Sequence, residues 1–240
     1  MSDWPIDAPS PNADARNCTP DMIVLHYTGM ESGEAALERL RDPASKVSAH
    51  WVVEEDGRVF RLVPEDRRAW HAGVSRWAGE GALNDVSIGI EIVNPGHEWG
   101  YRPFPAAQMA TVERLVREAM ARWSIRPERV LGHSDVAPTR KDDPGELFDW
   151  RRLAGQRLAI WPDAADEDDP GRLLDPAGVA SLSASLGEIG YDVRDMGKAL
   201  TAFRRRFRPR ALVGLPVMRD VVIARDVAAR WPGHRPAADA

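Results

Sequence analysis

The pattern that most narrows the fold is a strand, a long helix and a second strand in succession. The run "SIGIEIV" (87–93) alternates, with Ile88, Ile90 and Ile92 on one side and Glu91 on the other, beside Gly89, where the backbone stays open to a ligand. From Ala106 to Trp123 the apolar residues Met109, Val112, Val116, Met120 and Trp123 recur at helical spacing, and this helix feeds "RVLGH" (129–133), a second strand. Upstream, "MIVLHY" (22–27) is another short apolar run, and "HWVVEEDGRVFRLV" (50–63) reads as two runs around a Glu-Asp-Gly turn, a hairpin. Strands alternating with helices predict an α/β fold: a mixed central β-sheet flanked by helices, with ligands gathering where strands end.

Composition bounds the function. With 240 residues, 43% of them hydrophobic, the chain can bury a full core and a second, smaller one. A formal net charge of -5 argues against a broad nucleic-acid surface, which needs clustered Lys and Arg. Cys18 is the only cysteine, so an internal disulfide framework and a multi-cysteine zinc site are excluded, and a reducing compartment suits the chain. The first residues have aspartates and prolines where a signal peptide has basic residues and an apolar run, and no segment is long and apolar enough to span a membrane. The expectation is a cytoplasmic protein with no membrane and no obligate protein partner.

Organisation changes once with force. Five acidic residues fall within positions 163 to 169 and are followed by Pro-Gly, which reads as a linker. The expected divisions are an N-terminal extension (1–20), a main domain (21–162), the acidic linker (163–172) and a helical tail (173–240). In the tail, "DPAGVASLSASLGEIGY", "MGKALTAFRRRFRP" and "PVMRDVVIARDVAARW" each show helical spacing, which predicts a small three-helix domain.

Two histidines stand at strand ends, His26 and His133, and Asp143 follows on a loop stiffened by Pro144 and Gly145. Two imidazoles and one carboxylate form a three-ligand zinc set that leaves a fourth position for water. Spacing alone leaves this reading open against the blander one, in which scattered histidines fill core or surface positions.

The stretches "HYTG", "SAHWVVEEDGRVFRLVPEDRRAWHAGVSRW", "NDVSIGIEIVN" and "GHSDVAPTRKDDPG" occur in the order found in a known family. Over about residues 20 to 160 the chain resembles the zinc-dependent N-acetylmuramoyl-L-alanine amidases related to phage lysozyme amidases and peptidoglycan recognition proteins. The resemblance implies His26, His133 and Asp143 as zinc ligands, with Asp143 standing where some relatives use cysteine. It implies Glu91 as the residue that takes a proton from water, since Ala49 occupies the place where some phage relatives use tyrosine. Lys141 matches the lysine that stabilises the oxyanion.

Further residues carry two readings each. His71 matches a histidine lining the substrate groove of relatives; Trp70 and Trp77 could stack on substrate or cover the core; Asn84 could touch substrate or brace a turn. His50 reads as a buried, hydrogen-bonded structural histidine, His97 and His234 as surface, and Asp142 as a solvated loop charge. The tail resembles, more loosely, the peptidoglycan-binding helical domain attached to some of these amidases. Its run Arg204, Arg205, Arg206 reads as a solvated face, and the tail as dispensable for small soluble substrates. The expected activity is hydrolysis of the bond between the lactyl group of (anhydro-)N-acetylmuramic acid and L-alanine, in cell-wall recycling. An amidase acting on polymeric peptidoglycan in the envelope is the alternative. A non-catalytic muropeptide-binding module is the other, and it is disfavoured because all three ligands, Glu91 and Lys141 are present together.

Overall fold

The protein is described by a computed structural model, which covers residues 4–163 and 171–233. Most of the acidic stretch and His234 lie outside the described residues.

A six-stranded sheet forms the centre, in the order β1 (Ile6–Asp7), β5 (Val59–Arg61), β4 (Trp51–Val53), β7 (Ser87–Ile92), β3 (Met22–Tyr27) and β8 (Val130–Gly132). Strands β4, β7, β3 and β8 run parallel, while β4 and β5 pair antiparallel as the predicted hairpin, so the sheet is mixed. A second, two-stranded sheet joins β2 (Ala13–Ala15) to β6 (Arg67–Ala69). Helix α1 (Gly33–Arg41) follows β3, a short α2 (Gly96–Trp99) follows β7, α3 (Ala106–Trp123) spans the predicted residues, and α4 (His133–Val136) and α5 (Trp150–Gly155) follow β8.

Strand alternation divides the sheet into two faces with different fates. Ile23 and Leu25 of β3 and Ile88, Ile90 and Ile92 of β7 pack against Met109, Val112, Leu115 and Val116 of α3, all of them buried. Met22, Val24 and His26, with Ser87, Gly89 and Glu91, therefore share the opposite face. At its lower end that face is covered by the tail, and at its upper end it opens into a cleft. This is what places polar side chains at one end of an otherwise apolar sheet.

The N-terminal residues do not form a detached extension. Strand β1 pairs with β5, β2 pairs with β6, and the Asn12 amide donates to the carbonyls of Asp42 and Val47 at 2.8 Å each. Arg16 reaches further in, donating to Asp85 O at 2.5 Å and to Ser87 O at 2.9 Å. These contacts strap residues 4–20 across the sheet edge that sequence left uncovered.

The tail forms the three predicted helices, α6 (Pro176–Ile189), α7 (Met196–Phe207) and α8 (Met218–Arg230). Asp175 and Asp195 cap α6 and α7 by accepting backbone N–H groups, and Gly190 ends α6 at φ 124, a conformation that favours glycine. The core of the tail is continuous with that of the sheet side. Leu182, Leu186, Phe203, Phe207, Val221 and Val227 belong to one buried cluster with Met22, Val24, Trp77, Leu131 and Val136 of the sheet side. Removing the tail would uncover that face, at about 2 kcal/mol for each large side chain re-exposed. This shared cluster stands against the expectation of a dispensable tail.

The reading of Arg204, Arg205 and Arg206 as a solvated face is also corrected: all three are buried, at 3%, 7% and 3% exposure. Arg204 is satisfied inside the tail, donating to both oxygens of Asp220 and to the carbonyls of Gly214 and Leu215. Arg206 crosses to the sheet side, where it donates to Asp135 Oδ2 at 3.1 Å and lies 4.1 Å from the ring centre of Trp150. Arg205 reaches Asp142, which is thus paired rather than simply solvated.

Candidate active site

Three short structural steps bring the ligands together. His26 is the fifth residue of β3 and aligns with Glu91 on β7, so both stand at the upper end of the face that α3 does not cover. Strand β8 ends at Gly132, and His133 starts α4 directly after it. The loop that follows returns because Ser134 N donates to Asp143 O at 2.8 Å, which brings the Asp143 carboxylate beside both rings.

The result is a compact donor set. His26 Nδ1 lies 2.9 Å from His133 Nδ1 and 3.0 Å from Asp143 Oδ2, and His133 Nδ1 lies 3.0 Å from the same oxygen. All three residues are buried. Among the described residues this is the group of histidine and carboxylate side chains that could hold a metal ion.

The second nitrogen of each ring fixes its tautomer. His133 Nε2 donates to Ala72 O at 3.1 Å, and His26 Nε2 lies 3.1 Å from His71 Nδ1. His71 Nε2 in turn lies 3.2 Å from Ser87 Oγ, whose hydroxyl donates to Leu83 O at 2.5 Å. With the Nε2 hydrogens committed outward, both Nδ1 lone pairs face the centre of the site, the arrangement that metal-binding histidines need. Burial and the neighbouring His133 lower the His26 pKa to about 4, so its ring is neutral at pH 7. Burial pushes the Asp143 carboxyl up, but protonation of the adjacent His133 and His26 would outweigh it, which holds the group below the usual carboxylate range.

Glu91 faces the same cavity, and its Oε2 atom is buried with no hydrogen-bond partner. Burial and then the charge of Asp143 raise its pKa well above the ordinary carboxylate value, while Lys141 opposes them. The cavity measures roughly 360 Å³, and Trp70, His97 and Lys141 line it together with the ligands. A buried carboxyl, a cation and a donor set that could hold a metal ion thus meet around one open space.

Other expected residues fall differently. His71, 8% exposed, stands behind His26 and supports that ring, and it also lines the cavity. Asn84 Oδ1 accepts from the backbone N–H groups of His71 and Ala72, at 3.1 and 2.7 Å, so its carbonyl braces the turn beside Trp70 and His71. Trp70 does border the cavity, with its Nε1 donating to Asp14 Oδ2 at 2.7 Å. Trp77 packs in the core against Tyr191, with ring centres 5.0 Å apart. His50 is fully buried and structural, its Nδ1 accepting from Gly89 N at 2.9 Å and its Nε2 donating to Arg67 O at 3.1 Å.

One reading is corrected here. Gly89 is not open to a ligand, because a Cβ there would sit 2.4 Å from His71 Cγ; the glycine makes room for that ring. His97 is exposed, as read, and it also borders the cavity, joining Tyr27 Oη at 3.0 Å to the carboxylate of Glu146 at 3.1 Å. Its position just past the end of β7, at the sheet edge that carries Glu91, is the signal that could have found it.

Residues 16–146 match the N-acetylmuramoyl-L-alanine amidase family. The chain is 39% identical over 209 residues to the N-acetylmuramoyl-L-alanine amidase AmiD of Escherichia coli, covering 78% of this chain and 75% of that protein. It is 36% identical over 164 residues to the 1,6-anhydro-N-acetylmuramyl-L-alanine amidase AmpD of the same organism, covering 60% of this chain and 87% of that one. Among solved structures, the complex of E. coli AmiD with anhydro-N-acetylmuramic acid-L-Ala-D-gamma-Glu-L-Lys matches with a TM-score of 0.80 at 34% identity, over 92% of this chain and 94% of that one. AmpDh3 of Pseudomonas aeruginosa in complex with anhydromuramic pentapeptide matches with a TM-score of 0.78 at 31% identity, over 89% of this chain and 92% of that one.

Proposed function

The chain belongs to the N-acetylmuramoyl-L-alanine amidase family, and on that premise we propose that it is a zinc-dependent enzyme cutting the amide between the lactyl group of (anhydro-)N-acetylmuramic acid and the L-alanine of the stem peptide. The observation that carries this reading is the convergence of His26 Nδ1, His133 Nδ1 and Asp143 Oδ2 with both ring tautomers fixed from behind. Two nitrogens and one carboxylate oxygen fit zinc, whereas calcium and magnesium favour sites built from oxygen. Muropeptides are the substrate class, in line with the anhydromuropeptides bound in the two solved relatives.

Held by those three residues, zinc supplies Lewis acidity toward a water molecule and the lactyl carbonyl. Glu91 takes the proton of the attacking water. Its raised proton affinity and unpaired Oε2 equip it to do so and then to pass the proton to the departing alanine amine. The Lys141 ammonium borders the cavity and meets the oxyanion that forms on the carbonyl. Trp70 offers an aromatic edge to the substrate.

The compartment follows from the substrate. We place the enzyme in cytoplasmic recycling of soluble 1,6-anhydro-muropeptides, supported by the likeness to AmpD and by a cavity whose volume suits a compact ligand. A second reading, action on polymeric peptidoglycan in the envelope, rests on the tail, which resembles peptidoglycan-binding helical domains and falls within the 92% of the chain that AmiD matches. Digesting 1,6-anhydro-N-acetylmuramyl peptide and intact sacculi side by side separates the two, with cell fractionation as the companion measurement. Fast release of peptide from the soluble substrate and slow action on sacculi are expected. Equal rates on both would move the enzyme to the wall, and release from neither would end the amidase reading.

A further inference from the structure

We propose that Arg205, on tail helix α7, is a positioning residue that holds the loop carrying Lys141 and Asp143 in working geometry; this deepens the amidase reading and rests on it. Arg205 is buried at 7% exposure, and its Nη2 donates to Asp142 Oδ1 at 2.6 Å. Its Nε lies 3.8 Å from Glu146 Oε2. The guanidinium therefore bridges two carboxylates on either side of Asp143, one of them adjacent to it in sequence.

The other ties on this loop leave a defined gap for the tail to fill. Ser134 N holds Asp143 O, Lys141 N holds Ala137 O at 3.0 Å, and Tyr101 Oη donates to Pro144 O at 2.7 Å. These bonds fix the backbone, but none of them reaches the side chain between Lys141 and Asp143. Arg205 does: it draws Asp142 toward the tail while Asp143 turns to the histidines. Glu146, its second partner, also receives His97 from the cavity rim, so the same guanidinium connects the tail to the mouth of the site.

The tail grips the other end of the segment as well. Asp135, two residues after His133, accepts from Tyr191 Oη at 2.6 Å, Arg206 Nη1 at 3.1 Å and Gly132 N at 2.8 Å. Consecutive arginines of one helix thus reach both ends of the stretch that bears His133, Lys141 and Asp143. Such placement matters because a displacement near 1 Å at reacting groups can cost about 100-fold in rate; a single lost tether on a loop with other ties is expected to cost about 10-fold.

The test uses the full-length, zinc-loaded protein and the variants Arg205→Met, Arg205→Lys, Asp142→Asn and the double variant Arg205→Met/Asp142→Asn. Turnover of 1,6-anhydro-N-acetylmuramyl peptide, zinc release to a chelator, hydrogen exchange at Ser134 N–H and far-UV circular dichroism are measured together. Expected for Arg205→Met are a kcat about 10-fold lower, a KM within about twofold, and zinc release and Ser134 exchange about 10-fold faster, with Arg205→Lys recovering most of each. The double variant should lose no more than either single one, as partners in one contact do. Asp142 is 60% exposed on its side chain, so Asp142→Asn keeps the test open if Arg205→Met fails to fold. Wild-type kcat, zinc release and exchange in folded Arg205→Met or Asp142→Asn would overturn the proposal, as would losses that track only the folded fraction. If the wild-type protein releases no peptide, the amidase reading fails by itself, and zinc release with Ser134 exchange still decides the role of Arg205.

Discussion

Two buried charged clusters sit on the same face of the sheet, and they differ in what their unmet atoms face. In the arginine cluster of α7, Asp220, Asp142 and Asp135 each answer a guanidinium, and Trp150 covers the face of Arg206. In the cleft, His26, His133 and Asp143 turn their lone pairs toward one another and Glu91 Oε2 has no partner. Both clusters are costly to bury. The first ties two parts of the chain together but is not fully answered, since Arg205 Nε, Arg206 Nε and Arg206 Nη2 are buried without hydrogen-bond partners. Neither buried charge nor an unmet polar atom alone marks a site; what sets the second cluster apart is that its lone pairs and the Glu91 carboxyl converge on an open cavity.

The sharpest way to break this contrast is to remove a ligand. Asp143→Ala should abolish zinc binding and turnover together, while the fold persists because the clusters around Phe203 and around Ile90 do not involve this side chain. Elemental analysis should fall from about one zinc per chain to none, and chelation of the wild type should remove activity that added zinc restores. Active protein without metal would sink the zinc assignment. Glu91→Gln comes next: it keeps the shape and removes the base, so zinc should still bind while kcat drops roughly 100-fold or more. An unchanged rate would place proton transfer elsewhere.

The arginine cluster should answer in stability rather than in metal content. Arg206→Met removes one partner of Asp135, which is 1% exposed, and breaking a buried pair from one side costs about 3–5 kcal/mol. Urea unfolding reads this directly. A loss under about 1 kcal/mol would mean that Tyr191 and Gly132 satisfy Asp135 without the arginine.

How legible each cluster was follows from the range of its contacts. The alignment of Glu91 with His26 comes from the pairing of β3 with β7, whereas the alternation of β7 set Glu91 opposite its isoleucines, because strand parity is a local property. The three tail helices were readable for the same reason. Arg206 and Arg205 were not, since Asp135 and Asp142 lie 71 and 63 positions away, and only the folded chain shows that α7 turns them toward the sheet. Gly89 was misread in the same manner: the missing side chain was visible, but the ring of His71 that fills the space comes from another segment. Asn84 presented a polar side chain near the right motif, and nothing local revealed that its oxygen was already committed to two backbone donors.

The smallest expected effect concerns His50, which stands between the two clusters in character, buried but closed and without substrate to meet. Burial and then the charge of Arg16 lower its pKa to about 3, against 6.5 for an unperturbed imidazole. The sign follows from proton counting. Below pH 6.5 the unfolded chain binds a proton that folded His50 refuses until about pH 3, so stability is full above 6.5 and declines as the pH falls. Each such histidine steepens the decline by up to about 1.4 kcal/mol per pH unit. Gln can still accept from Gly89 N but does not titrate, so His50→Gln should flatten the pH dependence of urea unfolding between about pH 6 and 4.5, even if it lowers stability at pH 7. Comparing slopes cancels the part due to His26 and His71, which both proteins share. An identical slope in the variant would show that His50 gains its proton as readily folded as unfolded, and its ring would then have to reach solvent or an anion at the foot of the cleft.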